Sequence, residues 1–532
     1  MDRRSFLRRT IPIPTMALTL GGFSLRAFGR SRFLSTLVGG GTESDRVLVL
    51  IQLNGGCDGL STVIPLDQYS LLMAARGNIA IEESKVLSLT AATGLHPAMS
   101  GMRDLYEQKK LAVIQSVGYP NPNFSHFRGT DIWLTASDSN VVLSSGWMGR
   151  YLSEEFTEYP NGYPNAVMPD PLAIQIGSVI TSGLQGPAVS MGMAITSPTN
   201  FYQLISGGID TAPNTPAGHE LTFLRQVAQQ TQQYATVITG AAGKATNMSA
   251  LYPTAGTNPL ADQLKIVAQL VAGGLKTRIY VVNLGGFDTH SNQVPDATST
   301  DTGTHATLLG KLSTAITAFQ DDLRLLGAER RVLGMTFSEF GRRIKSNASY
   351  GTDHGAAAPL FVFGHSLNSG IYGTNPIIPA VATVNDNIPM QYDFRSVYGS
   401  MLKHWFGVPD AELQSILFQD FQTLPFVHPS ERRENKGPSS NSPNAPWSMA
   451  LHQNYPNPFN PSTRISFTST GGHVQVTIFD TIGREIRTLV DGSFAAGDHE
   501  VVFEAENLPA GLYYYRLQSG SYQQVKSMML VK

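Results

Sequence analysis

The residues able to do chemistry gather in five short stretches, four of them rich in glycine. Asn54-Gly55-Gly56-Cys57-Asp58-Gly59 offers a carboxylate, and Ser125-His126-Phe127-Arg128 offers a hydroxyl, an imidazole and a guanidinium. Gly285-Gly286-Phe287-Asp288-Thr289-His290 sets a carboxylate and an imidazole two positions apart, close enough to reach one ion or two adjacent ones. Ser338-Glu339-Phe340-Gly341-Arg342 and Thr352-Asp353-His354-Gly355 complete the set. Carboxylates and imidazoles together are donors that Zn, Mn, Mg or Ca accept. Asp58, Asp288, His290, Glu339, Asp353 and His354 are therefore candidate metal ligands. Each position also has a plainer use. Asp58 could simply hold a turn, and Ser125 could cap a helix. His126 could bind metal or pack, and Glu339 could form a buried ion pair with Arg342. Cys57 reads as a small buried side chain and His96 as a loop-fixing residue. His305, at a helix start, could reach the site or lie exposed.

These stretches follow or precede apolar runs. Arg46 to Leu53, Leu111 to Val117, Arg278 to Leu284, Arg331 to Phe337 and Leu360 to Phe363 read as strands covered on both faces. Met99 to Gln108, Leu260 to Leu275 and Thr307 to Leu326 carry the i, i+3, i+4 apolar spacing of helices. This alternation predicts an α/β domain over residues 46–429, with a mostly parallel sheet flanked by helices. Ligands of such sheets bind at the carboxyl ends of the strands, where the five stretches would converge. Residues 145–253 lack the alternation and read as an inserted cap or subdomain.

The chain of 532 residues is too long for one ordinary core. A formal net charge of −2 and no basic stripe give no case for nucleic acid. The single cysteine rules out an intramolecular disulfide and a thiolate-clustered metal site.

Both ends resemble addresses. Arg3-Arg4 with Phe6-Leu7, an apolar stretch from Ile11 to Leu25, and Ala27-Phe28-Gly29 resemble a twin-arginine export signal over residues 1–29. The stretch is broken by Pro12, Pro14 and Gly21-Gly22, so no membrane span is expected in the mature protein. Residues 30–45 read as a linker, as do residues 430–447, rich in Ser, Asn and Pro. Residues 448–532 alternate with period two and predict a small β-sandwich. Asn454-Tyr455-Pro456-Asn457-Pro458-Phe459-Asn460-Pro461, FDTIGREIRTL, LPAGLYYYRL and the terminal MMLVK resemble the type IX secretion sorting domain of gliding-group bacteria. The resemblance implies the twin-arginine and type IX machineries as partners, and a surface or secreted destination.

LNGGCDGLSTVIPL, NFSHFRGTDIW, LGGFDTHSNQ, FSEFGRR and TDHGAAAPLFVFG resemble a widespread exported family of unknown function, similar in fold to the alkaline phosphatase and sulfatase superfamily. The superfamily likeness implies that Asp58, Asp288, His290, Glu339, Asp353 and His354 hold divalent metal, that Ser125 is a nucleophile, and that Arg128, Arg342 and His126 bind substrate. Two departures stand out: Ser-Glu-Phe-Gly-Arg takes the place of an Asp-His pair, and Ser125-His126-Phe127-Arg128 lacks the proline of a sulfatase nucleophile motif. The implied function is an exported hydrolase of phosphate or sulfate esters, acting on a polysaccharide or a small ester. The alternative is a non-catalytic surface or binding protein that retains the fold.

Overall fold

A computed structural model describes residues 45–156, 159–160, 162–198, 233–428, 449–451, 454, 459–480, 484–505, 508–520 and 522–530, with the backbone of 15–20 and 23–28. The chain divides into two compact units, Ser44–Ser430 and Met1–Glu43 with Glu431–Lys532.

In the larger unit the first strand, β1 (Val47–Asn54), lies at the middle of a nine-stranded sheet. Its side chains explain why. Val47, Val49 and Ile51 enter one apolar cluster and Leu48 and Leu50 the other, so both faces are covered, as period-two geometry requires. Around it come β2 (Leu111–Gly118), β3 (Ala173–Ile176), β4 (Met193–Ile195), β5 (Ile279–Gly285), β6 (Val332–Phe337), β7 (Ala358–Gly364) and β8 (Gly370–Tyr372), in the spatial order β8-β2-β7-β6-β1-β5-β3-β4. The two-residue strand Tyr392–Asp393 lies beside β2. Pairings are parallel except those of β7, which is antiparallel to β6 and β2. That reversal has a consequence for the site. The start of β7 lies at the same edge as the ends of β1, β2, β5 and β6, so residues preceding β7 meet residues following the others.

Helices cover the sheet where their apolar stripes dictate. α1 (Pro259–Ala272) starts at Asn258, whose side chain caps the Ala261 amide, with Pro259 in the first turn. α2 (Thr304–Leu325) buries Leu308, Leu309, Leu312, Ile316, Phe319 and Leu323 against the first cluster. Residues 145–253, expected as an insertion, contribute two described strands to the sheet. β3 and β4 extend the main sheet, with Ala173 paired to Ile279. Strands of four and three residues are too short to declare a periodicity, which is why the sequence hid them.

In the second unit, Ala450–Leu451, Ser462–Phe479, Glu485–Glu504, Gly511–Ser519 and Tyr522–Leu530 form an antiparallel sheet with its own apolar core, including Ile465, Phe467, Val476, Tyr515 and Leu517. Its 18- and 20-residue strands stay paired along nearly their whole length. Thr15–Leu20 pairs antiparallel with Phe23–Phe28. The twin-arginine pair and nearly all of both linkers fall outside the described residues. Among the described residues no helix is long and apolar enough to cross a membrane.

Candidate metal centre

At the shared sheet edge the loop after β1 and the loop after β5 approach very closely. A Cβ on Gly55, whose φ is +122°, would stand 2.2 Å from the Asp288 amide nitrogen, so only glycine fits there. The loop after β6 is tied to both by Arg342. This fully buried guanidinium donates to the carbonyls of Gly56 (2.7 Å), Thr352 (2.8 Å), Phe287 (3.0 Å) and Gly55, and to Asp288 Oδ1 at 2.7 Å. Arg342 is thus a staple across four loops. With its donors consumed by the protein, it does not face a substrate as the sequence resemblance implied.

Three imidazoles surround Asp288, and each is held from behind. His126 is the first residue of the helix His126–Thr135. Its Nδ1 meets Glu339 Oε1 at 2.8 Å, and its Nε2 lies 3.4 Å from Asp288 Oδ2. His354 directs Nδ1 to the Phe124 carbonyl at 2.8 Å and Nε2 to Asp288 Oδ1 at 3.2 Å. His290 directs Nδ1 to Asp353 Oδ1 at 3.3 Å, while its Nε2 stands 2.9 Å from His354 Nε2 and 3.3 Å from Asp288 Oδ1. Phe340 packs against the rings of His126 and His354, with centroids 5.0 and 4.4 Å away.

The hydrogen-bond partners assign the tautomers. Glu339, Asp353 and the Phe124 carbonyl are acceptors, so in the neutral rings the proton sits on each Nδ1 and the lone pair on each Nε2. Three lone pairs and a carboxylate then converge with no N–H between them. Nε2 atoms 2.9 Å apart repel unless a cation or a proton stands between. Ligand atoms of His126, Asp288 and His354 all lie within 4.8 Å of one another. The arrangement suits a divalent metal, with the Nδ1 partners orienting the ligands from the outer shell. Asp288 is half exposed, so the centre opens to solvent. Burial works against its charge, but the hydrogen bond and the positive charge of Arg342 prevail and hold its pKa at about 2. Burial lowers the His354 pKa against the pull of Asp288, which favours the neutral, ligating ring.

The remaining expectations divide. Glu339 is buried and bonds His126 and the Gly55 amide (2.8 Å), so it stands behind a ligand instead of among them. Asp353 stands behind His290 in the same way, steadied by Asn347 Nδ2 at 3.2 Å. His126, expected to bind substrate, joins the ligand cluster. Asp58 does not come to the centre. It is fully buried, both oxygens take bonds from Arg76 Nη1 at 2.8 Å, and Gln293 Nε2 adds another at 2.7 Å. Arg128 pairs with Asp131 and donates to the carbonyls of Asp138, Ser139 and Val141, which fixes the loop after its helix instead of an oxyanion. Ser125 occupies the N-cap of the His126 helix, is exposed, and makes no side-chain capping bond. Sequence reasoning missed Phe340, Asn347 and the Phe124 carbonyl. Only Phe340 left a signal, as the aromatic between two residues already singled out.

Residues 209–392 match the family described as a protein of unknown function, DUF1501, and enclose Asp288, His290, Glu339, Asp353 and His354. Over that stretch the chain is similar to the DUF1501 family. Residues 453–532 match the secretion system C-terminal sorting domain, so this protein is exported to the cell surface through type IX secretion. No curated relative matches the chain. Structural neighbours lie in the alkaline phosphatase and sulfatase superfamily. One is an alkaline phosphatase superfamily protein from Vibrio parahaemolyticus, 8% identical, covering 80% of this chain and 77% of its own, with a TM-score of 0.32. Another is a phosphonate monoester hydrolase from Silicibacter pomeroyi, 10% identical, covering 91% and 88%, with a TM-score of 0.30. A third is alkaline phosphatase from the Antarctic bacterium TAB5, 10% identical, covering 62% and 95%, with a TM-score of 0.25. Likeness this remote carries no functional argument, and the reading below rests on the residues.

Proposed function

We propose that this exported protein is a metal-dependent hydrolase of phosphate or sulfate esters, built on one divalent ion held by His126, His290, His354 and Asp288. The observation that carries it is the cluster of His126, His354 and Asp288, whose ligand atoms lie within 4.8 Å of one another at a solvent-open point, with His290 Nε2 2.9 Å from His354 Nε2. Three imidazoles and one carboxylate favour zinc, with manganese next, over the all-oxygen shell that calcium prefers. Such an ion, when bound, polarises an ester oxygen and lowers the pKa of an attacking hydroxyl.

The chain's own groups supply the rest. Glu339, Asp353 and the Phe124 carbonyl keep the Nδ1 protons in place and aim the lone pairs. Arg342 fixes Asp288 in register. The Ser125 hydroxyl, exposed beside His126 at a helix N-terminus, is the nucleophile in this reading, and the first amides of that helix favour the anionic group it attacks. The second reading is a surface binding protein with a structural ion. It draws on one observation: Arg342 and Arg128, the guanidiniums expected at an oxyanion, are both engaged by the protein.

Elemental analysis of the full chain, with hydrolysis of p-nitrophenyl phosphate and sulfate, tests the proposal. One transition metal per chain and turnover that vanishes in Ser125→Ala with metal retained are expected. Metal without turnover on either ester leaves the binding protein. Neither metal nor turnover after zinc, manganese and calcium supplementation sinks both the centre and the hydrolase.

A further inference from the structure

Phe340, in the loop after β6, stands where three parts of the metal centre meet. Its buried ring packs on the rings of His126 and His354, tilted 43° and 40° to them at centroid distances of 5.0 and 4.4 Å. Two glycines make room for it. A Cβ on Gly56, in the loop after β1, would stand 2.4 Å from Phe340 Cε2 and 2.6 Å from Cδ2. A Cβ on Gly129, in the helix that begins at His126, would stand 3.2 Å from Phe340 Cδ1, on the other edge of the ring, and 3.1 Å from the Glu339 carbonyl oxygen. Glycine inside a helix costs stability relative to alanine. The gap at Gly129 serves the ring.

The ring supplies what the hydrogen bonds leave open. From behind, His126 is held through Nδ1 by Glu339, and His354 through Nδ1 by the Phe124 carbonyl. An imidazole anchored at one nitrogen can still tilt through coupled changes of χ1 and χ2, and the tilt carries Nε2 away from Asp288. Phe340 removes that freedom from both rings at once, because its own two edges are packed against Gly56 and Gly129. We infer that Phe340 is a positioning residue that fixes the planes of His126 and His354 and so widens the centre's preference for zinc over manganese. The inference rests on the metal centre of the proposed function and concerns which ion that centre takes. Packing that locks ligand rotamers presets their spacing. Selectivity among divalent ions comes from such geometry more than from raw affinity. Zinc, held tetrahedrally, gains from fixed imidazoles, whereas manganese, suited to carboxylate and water, tolerates loose ones.

The test titrates the metal-stripped full chain with zinc and with manganese by competitive chelation, and records the visible spectrum of the cobalt(II)-loaded chain. Phe340→Leu keeps an apolar side chain but loses the flat face. Its zinc affinity should fall about 10–100-fold, the range for groups that orient ligands, while its manganese affinity falls less. Its cobalt(II) band should weaken as water joins the loosened centre. Gly129→Ala favours the helix, yet its methyl presses on Phe340 and on the Glu339 carbonyl. It should move the zinc-to-manganese ratio the same way by a smaller factor. In Phe340→Leu, no change, or both affinities falling by one factor with the spectrum unaltered, overturns the inference and leaves the centre. Where that variant does not fold, an unchanged ratio in Gly129→Ala overturns it instead. A wild-type chain that binds none of the three ions sinks the metal centre itself, and the inference with it.

Discussion

Asp58 and Asp288 leave the same edge of the same sheet from equivalent loops, yet they are put to opposite uses. Around Asp58 every acceptor meets a donor. Arg76, Gln293 and the Arg76 bonds to the Ile344 and Arg343 carbonyls make a closed, buried network. Around Asp288 acceptors face acceptors, and the group is half exposed. A closed network of opposite charges holds loops together and needs no visitor. An open set of lone pairs is stable only with a cation in it. The two carboxylates thus differ in kind: Asp58 and Arg76 tie loops together in the interior, and Asp288 stands open among the imidazoles.

The sharpest way to break this comparison is to neutralise each carboxylate in turn. Asp58→Asn leaves Arg76 buried without a counter-charge, and loss of one partner of a buried pair costs about 3–5 kcal/mol. Calorimetry should show that loss, while metal bound per folded molecule stays the same. Asp288→Asn should do the reverse. Metal affinity in competitive chelation should fall at least about a hundredfold, beyond the usual outer-shell effect. The metal-free chain should lose less stability than Asp58→Asn does, because Asp288 is half exposed and the buried Arg342 keeps its four carbonyl acceptors. If Asp58→Asn also emptied the centre, the contrast would fail.

Smaller changes sharpen it. Glu339→Gln keeps an acceptor for the Gly55 amide but weakens the charge behind His126. Metal affinity should drop about 10–100-fold, with the ligand set intact. No change would remove Glu339 from the outer shell. The smallest effect belongs to the surroundings of Asp58. His305 is buried beside Asp58, bonded to Thr62 Oγ1 at 3.1 Å, and burial holds its pKa at about 4 despite the pull of Asp58. An unfolded histidine titrates near ~6.5. Between those values the unfolded chain takes up a proton that the folded chain refuses, so stability falls as pH drops from about 6.5 towards 4. Urea midpoints across that window should slope less in His305→Gln than in wild type. A residual slope should remain, because burial also lowers His96, to about 3.

Much of the framework was legible in the sequence because it is written in local periodicity. The runs at Arg46, Leu111, Arg278, Arg331 and Leu360 became strands within a residue or two, and Leu260 and Thr307 opened helices. The loops carrying Asp288, His290 and His354 were legible because a parallel sheet sends its strand ends to one edge, and the single reversed strand brings the residues before it to that edge too. The sorting tail was legible because its wording is specific. β3 and β4 were not, since a three- or four-residue strand leaves no pattern.

What the sequence could not decide was which polar residue faces which. The partners of Asp58 lie 18 and 235 positions away, and the partner of His126 lies 213 away. Residue type made Asp58, Asp288 and Glu339 equal candidates. Their roles separated only when folding buried Arg76 against the first, turned three Nε2 atoms toward the second, and placed the third behind an imidazole. Periodicity determines an element because its cause is the repeat of the backbone itself, and it reads out over ten or twenty residues. A ligand shell is determined by distances between side chains remote in sequence, and those exist only in the folded chain.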